Sequence, residues 1–210
     1  MRILVFGGTG RCGRFIVEQA LDAGHDVTVF VRNPERLSRE HSKLKVVQGE
    51  YTDSEALRAL MKTGFDAVVS AIGPVQLKPS TVVTESTKAI IAAMQVSGRK
   101  RFLMVSVVSE ILHKNFIGKL STWIIKVTPV RHSLNDHAAA LVNLKKSDLN
   151  WTLAGCPIIK DGPRMERYRT SLTFNGGFKF IHPPDVANFI MKEITDPKPE
   201  FKNTVVGIWY

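Results

Sequence analysis

Short apolar runs separated by amphipathic stretches fill the first half of the chain, and residues 2–7, 26–31, 45–48, 66–72 and 101–108 each read as a strand. The runs are almost unbroken Val, Ile, Phe and Ala, the pattern expected where both faces of a parallel sheet are covered. Between them, residues 11–23, 54–62 and 81–97 carry apolar positions at helical spacing. Strand, helix and strand repeated in this order predict a doubly wound α/β sheet. After residue 108 the rhythm loosens. Residues 109–129 hold helical patches and the apolar run Trp123-Ile-Ile-Lys-Val127, and 133–146 reads as a helix. A sixth strand is expected at 151–156, a helix at 183–195 opening on Pro183-Pro-Asp185, and a last strand at 204–210. No repeat or low-complexity linker divides residues 1–210, so a single domain is expected, its C-terminal third extending the same sheet.

Composition narrows the class. Apolar residues make up 44% and charged ones 23% of 210 residues, as in ordinary globular proteins. No apolar stretch reaches the roughly 18 residues of a membrane span, and the opening Met1-Arg-Ile-Leu-Val-Phe-Gly-Gly8 lacks the length of a signal peptide. A cytoplasmic protein without membrane association is expected. Cys12 and Cys156 are far apart in sequence and have neither metal-ligand nor redox spacing, so no metal site is expected. The net charge of +10, with clusters at Arg99-Lys-Arg101 and Arg164-Met-Glu-Arg-Tyr-Arg169, suits an anionic partner. No aromatic-interleaved or helix-turn-helix spacing accompanies that charge, so the reading is phosphate-bearing small molecules and a solubilising surface rather than nucleic acid.

The strongest chemistry sits after the first strand, in Val5-Phe-Gly-Gly-Thr-Gly-Arg-Cys-Gly-Arg-Phe15. Gly8-x-Gly10-x-x-Gly13 and the overlapping Gly7-x-x-Gly10-x-x-Gly13 both match a dinucleotide fingerprint. Glycine is needed there for a tight turn, for bare N–H groups near a pyrophosphate at a helix N-terminus, and for close helix-strand packing. The flanking strand and helix supply the context that the motif requires, and the sheet becomes a Rossmann-like one. At the end of the second strand stands Arg32, with Arg36 four residues on. An Asp or Glu at that strand end meets a free ribose 2′-hydroxyl, whereas Arg accommodates a 2′-phosphate, so NADPH is the expected cofactor. Glu50 beyond the third strand, Ala71-Ile72-Gly73 beyond the fourth and Ser106 in the fifth should line the same crevice, because ligands bind past the carboxyl ends of such strands.

Gly7-Gly-Thr-Gly-Arg-Cys-Gly13, Val31-Arg-Asn-Pro-Glu-Arg36, the strand end at 66–73 and Trp151-Thr-Leu-Ala-Gly-Cys-Pro157 resemble the atypical short-chain dehydrogenase/reductases with an NAD(P)H-binding domain. With Asn135-Asp136-His137 added, the likeness runs from Ile3 to about Asp196 and is greatest to the NADPH-dependent flavin reductase, or biliverdin-IXβ reductase, branch. The resemblance implies hydride transfer from NADPH to a planar acceptor: FMN, FAD, riboflavin or a linear tetrapyrrole such as biliverdin. It implies a pyrophosphate loop from Thr9 through Gly10, Arg11 and Cys12 to Gly13, a 2′-phosphate site at Arg32 and Arg36, and Glu50, Gly73 and Pro157 flanking the cofactor. Ser106 would lie near the nicotinamide and His137 at the mouth of the substrate site, with the C-terminal part of the chain as a substrate-side extension. Two positions depart from the branch: Val107 follows Ser106, and Ile158 follows Pro157 where a His can occur. Both departures favour flavin over tetrapyrrole, because they remove side-chain proton donors.

The Tyr-x-x-x-Lys pair of the main short-chain dehydrogenases is absent: none of Tyr51, Tyr168 and Tyr210 has a lysine four residues later. A flavin needs little beyond orientation, since it is already an electron sink and takes its proton from water. His137 has the intrinsic pKa for orienting an acceptor or relaying a proton; the alternative is a helix N-terminal residue behind a capping Asn135 or Asp136. Cys12 reads as a small residue on the first helical turn, with oxidation-sensitive cofactor binding as the alternative. Residues 109–129, with Phe116 and Trp123, are the candidate acceptor lid, and the chain is expected to act as a monomer. A non-catalytic NADP(H)-sensing regulator, and a quinone reductase or epimerase on the same scaffold, stay open as readings.

Overall fold

The computed structural model describes residues 1–37, 39–74, 78–107, 128–173 and 179–210, and in it the apolar runs lie side by side. Strands β1 (Arg2–Phe6), β2 (Asp26–Val31), β3 (Leu44–Gln48), β4 (Ala67–Ser70), β5 (Arg101–Val107), β6 (Asn150–Cys156), β8 (Arg169–Ser171) and β10 (Thr204–Trp209) form one sheet in the order β3-β2-β1-β4-β5-β6-β10-β8. Its pairings are parallel except that of β8, which runs antiparallel to β10. A separate parallel ribbon joins β7 (Ile158–Ile159) to β9 (Phe180–Ile181).

Helices cover both faces. Side chains of a strand point alternately to opposite faces, so β1 sends Ile3 and Val5 to the side of α1 (Gly13–Asp22) and α5 (Pro183–Thr195), where Ile16, Val17, Val186 and Ile190 meet them. Leu4 and Phe6 go to the other side, against Met61 of α2 (Ser54–Lys62), Met94 of α3 (Val82–Ser97) and Leu141 of α4 (Val130–Lys145). Each fully buried side chain of this size contributes about 1.5–3 kcal/mol, which is why the unbroken apolar runs could be read as doubly covered strands. From β1 the chain winds outward to β3, then returns to β4 on the other flank of β1 and continues to β6. The reversal opens a crevice past the ends of β1 and β4, the usual ligand position in such sheets.

Helix limits follow local chemistry. Asp53 caps α2 by accepting the N–H groups of Glu55 and Ala56 at 3.1 and 3.0 Å. The paired prolines Pro183 and Pro184 open α5, where their missing donors cost nothing.

The structure corrects several expectations. β3 is an edge strand with Lys45, Val46 and Gln48 exposed, so it is not covered on both faces. The strand expected at 66–72 shrinks to Ala67–Ser70: the Asp66 carboxylate takes the Arg2 N–H at 2.7 Å, and after the Ala71 N–H has met the Phe6 carbonyl the chain leaves the ladder. α4 starts at Val130 rather than 133. β7, β8 and β9 were not expected; at two or three residues they are too short to show a period. Of the candidate lid at 109–129, residues 109–127 lie outside the described residues. Among the described residues no helix is long and apolar enough to cross a membrane.

A candidate dinucleotide-binding site

The first wall of the crevice is the glycine loop. Gly7 has φ +72, the left-handed region, and a Cβ there would come within 2.7 Å of the Ala71 carbonyl oxygen. At Gly13 the fit is tighter still, with a Cβ only 2.0 Å from the Gly7 carbonyl oxygen. The Gly10 N–H closes the turn on that same carbonyl at 2.9 Å. These contacts lay the loop on strand tips β1 and β4 at the start of α1, where the Arg14 N–H meets the Gly10 carbonyl and the Phe15 and Ile16 N–H groups meet that of Cys12, so the loop itself forms the wall. A Cβ at Gly73 would meet nothing within 4 Å, so the opposite rim is open space.

A cleft of about 500 Å³ runs over these tips. Of the positions singled out from the sequence, Gly7, Thr9, Gly10, Arg11, Cys12, Arg32, Arg36, Ala71, Ile72, Gly73, Ser106, His137 and Pro157 line it. Gly13 is buried beneath the loop and acts by packing. Glu50 is exposed and off the wall; the next side chain, Tyr51, stands there instead. Glu50 and Tyr51 enter the turn closed by the Asp53 N–H on the Glu50 carbonyl at 3.0 Å, which brings the Tyr51 side chain to the cleft. Pro74, Val105, Val107, Ser133 and Ile159 complete the wall. Ser133 carries a legible signal: it sits one helical turn before His137 and shares its face. A smaller groove of about 250 Å³ continues past Arg32, Gly73 and Pro74 and adds Lys78.

Two of the three arginines that line the cleft stand beyond β2. Arg32 follows β2 with its guanidinium carbon 5.3 Å from the Tyr51 ring centre, and Arg36 closes the short turn Pro34–Arg36. Arg11 donates from Nε to Asp161 at 2.9 Å across the loop after β7. That loop is anchored deeper: the buried Asp185 carboxylate accepts the N–H groups of Met165 and Glu166 and the Tyr210 hydroxyl.

The other end is apolar and neutral. Val105, Val107, Pro157 and Ile159 surround a hydrogen bond of 3.0 Å between Ser106 Oγ and His137 Nδ1. His137 is 5% exposed. Burial pulls its pKa down to about 4, against a smaller opposing pull from Asp136, so the imidazole is uncharged at neutral pH. The expectation that Asn135 or Asp136 caps the helix ahead of His137 is corrected here. Both lie inside α4, and the Asp136 carboxylate instead accepts the N–H groups of Val83 and Thr84 at 3.0 and 2.8 Å and the Thr84 hydroxyl at 2.6 Å. It caps the neighbouring α3, favourably for its charge, and so clamps α4 where His137 meets Ser106. His137 is accordingly deep in the cleft rather than at its mouth.

Cys12 is buried at the N-cap of α1, and burial pushes its thiol up to about 12. A protonated, enclosed thiol is a poor nucleophile, which argues against the oxidation-sensitive alternative. Cys156 is buried in the same apolar cluster. Among the described residues no group of three or more His, Cys, Asp or Glu side chains is placed to hold a metal ion.

Bare loop amides, a helix start, three guanidinium groups and an apolar far end suit a phosphate-rich dinucleotide. A family model described as NAD(P)H-binding matches residues 7–197. The chain belongs to that family. Among curated proteins, this NAD(P)H-binding chain is similar to eugenol synthase 1 of Petunia hybrida, 25% identical over 209 residues that cover 94% of this chain and 65% of the other. The chain spans from 27% to 65% of the length of the first such relatives. Two solved structures share its fold. A wide-type short-chain dehydrogenase/reductase of Veillonella parvula in complex with NADP has a TM-score of 0.82 and 16% identity, covering 99% of this chain and 93% of that one. ChuY, an anaerobillin reductase of Escherichia coli O157:H7, has a TM-score of 0.79 and 16% identity, covering 99% and 96%. At that identity the likeness is one of fold, and it includes the Rossmann-like winding expected from the strand pattern.

Proposed function

We propose that the protein is an NADPH-dependent reductase that passes hydride to a planar acceptor, a flavin (FMN, FAD or riboflavin) before a linear tetrapyrrole such as biliverdin. The observation that carries this reading is the division of one cleft into an arginine-rich end and an apolar end with an uncharged Ser106–His137 pair. NADPH, when bound, supplies the hydride.

The residues supply position and exclusion of water. Arg32 and Arg36 would hold the 2′-phosphate, with charge-assisted bonds contributing about 1.5–3 kcal/mol each, while the loop from Thr9 to Gly13 and the start of α1 would hold the pyrophosphate. Val105, Val107, Pro157 and Ile159 form apolar walls against which a flat ring system can lie. Ser106 can donate a hydrogen bond to the acceptor when the His137 tautomer presents Nδ1–H to its oxygen, and His137 keeps that hydroxyl oriented. An uncharged imidazole is a weak proton donor, so the acceptor's proton comes from water, as a flavin permits and a tetrapyrrole tolerates less well. The relative named as a reductase of anaerobillin supports the class of acceptor, and the relative solved with NADP supports the cofactor.

NADPH oxidation with FMN, riboflavin and biliverdin, followed at 340 nm, tests the reading. Turnover above the uncatalysed background is expected with the flavins; none with any acceptor would overturn it. Among the described residues that line the acceptor end none is a charged acid, and this favours one second reading, an NADP(H)-sensing regulator. It would show unequal affinities for NADP⁺ and NADPH and no turnover.

A further inference from the structure

We propose that Tyr51 is the positioning residue that sets the cleft's preference for a 2′-phosphorylated nucleotide: its ring carries the Arg32 guanidinium. The inference rests on the reading of Arg32 as the 2′-phosphate contact and names what makes that contact selective.

Tyr51 follows the tip of β3, lines the cleft and is only 7% exposed. Phe6 stands 6.4 Å from it nearly edge-on and Phe30 lies 6.3 Å away, the two phenylalanines themselves 5.5 Å apart. Gly49 lets this cluster form, since a Cβ there would be 2.4 Å from the Phe30 ring. The tyrosine ring is therefore held from behind, with one face left to the cleft. Arg32 lies over that face at 5.3 Å.

The contrast with Arg11 gives the arrangement its meaning. Arg11 is paired with the Asp161 carboxylate, and an incoming phosphate must compete with that partner. Among the described residues no carboxylate lies within 4.0 Å of Arg32. An aromatic face orients a guanidinium through the ring quadrupole without neutralising it. Its full charge thus remains for a dianion, and less side-chain freedom is lost when that anion binds. Burial raises the pKa of the Tyr51 phenol, with the Arg32 charge partly opposing, so the ring stays neutral beside the guanidinium.

The test uses the purified full chain and two nucleotides that differ only in the 2′-phosphate, 2′,5′-ADP and 5′-AMP, titrated calorimetrically. Wild type should bind 2′,5′-ADP at least tenfold tighter. Tyr51→Leu, and Tyr51→Met as a second apolar variant in case the first folds poorly, should cut that ratio about tenfold and leave 5′-AMP within about threefold. Tyr51→Phe, which keeps the ring, should hold the ratio within about twofold. In an Arg32→Ala background, adding Tyr51→Leu should change the ratio by less than twofold. Equal weakening of both nucleotides by Tyr51→Leu, or a further fall of the ratio without Arg32, would overturn the role of Tyr51 while leaving Arg32 in place. No preference for 2′,5′-ADP in wild type would instead remove the reading of Arg32, and the proposal with it.

Discussion

Replacing Asp136 by Ala should be among the most destabilising single changes in this chain, although the residue touches no cofactor position. Its carboxylate accepts three hydrogen bonds from the first turn of α3, two from backbone N–H groups and one from the Thr84 hydroxyl. Asp136 is 4% exposed and Thr84 8%, so water replaces few of these bonds. Hydrogen bonds to a charged acceptor contribute about 1.5–3 kcal/mol each, and a buried donor left without a partner costs about 1–3 kcal/mol. The Thr84 hydroxyl can rotate to the Asp136 carbonyl, 2.9 Å away, which leaves two N–H groups to account for. The expected loss is about 3–5 kcal/mol, a large part of the 5–15 kcal/mol typical of a domain. Asp136→Asn, which keeps one acceptor oxygen and loses the charge at the helix end, should lose about half as much. Urea unfolding followed by circular dichroism measures both, and at this chain length the alanine variant should also melt about 10 °C lower. A loss below about 1 kcal/mol for Asp136→Ala would show that α3 does not depend on this cap.

Three further outcomes follow from the same geometry. Arg32→Asp should weaken NADPH about 10- to 100-fold and leave NADH within about threefold in a fluorescence titration; equal losses would show that Arg32 does not read the 2′-phosphate. Gly13→Ala places a methyl 2.0 Å from the Gly7 carbonyl oxygen, whereas Gly73→Ala meets nothing within 4 Å, so the first should abolish measurable NADPH binding in a folded protein and the second should change it less than about threefold. His137 is pulled from 6.5 to about 4 by burial; below pH 6.5 the unfolded chain takes up a proton that the folded one refuses. Stability should therefore fall as pH drops from 6.5 to about 4, by about 3 kcal/mol in all, and NMR titration of the imidazole should find no inflection near neutrality. A flat stability profile in the His137→Gln variant over that window would tie the slope to this side chain, and an unchanged slope would refute it.

Much of the framework was legible because it is written in local periods. β2, α2 and α5 fall at the residues expected, since a doubly covered strand must be apolar throughout and helices announce themselves by spacing, an aspartate cap or a proline start. The glycine loop was legible for a related reason: backbone that approaches other backbone to within van der Waals contact excludes a Cβ wherever the chain goes next. What failed depended on partners distant in sequence. β3 has the apolar residues of a covered strand but lies at the edge, and β7, β8 and β9 are strands only because of what they pair with.

The candidate site divides along the same line. The amino-acid order by itself determined that a strand, a bare loop and a helix follow one another and that Arg32 stands at the tip of β2, because these are matters of neighbours along the chain. Only the tertiary structure decided that Tyr51 rather than Glu50 faces the cleft, that Asp136 caps a helix some fifty residues earlier, and that burial keeps His137 uncharged beside Ser106. Pairing, burial and loss of water are set by segments that meet in space, and no local pattern records which segments those will be.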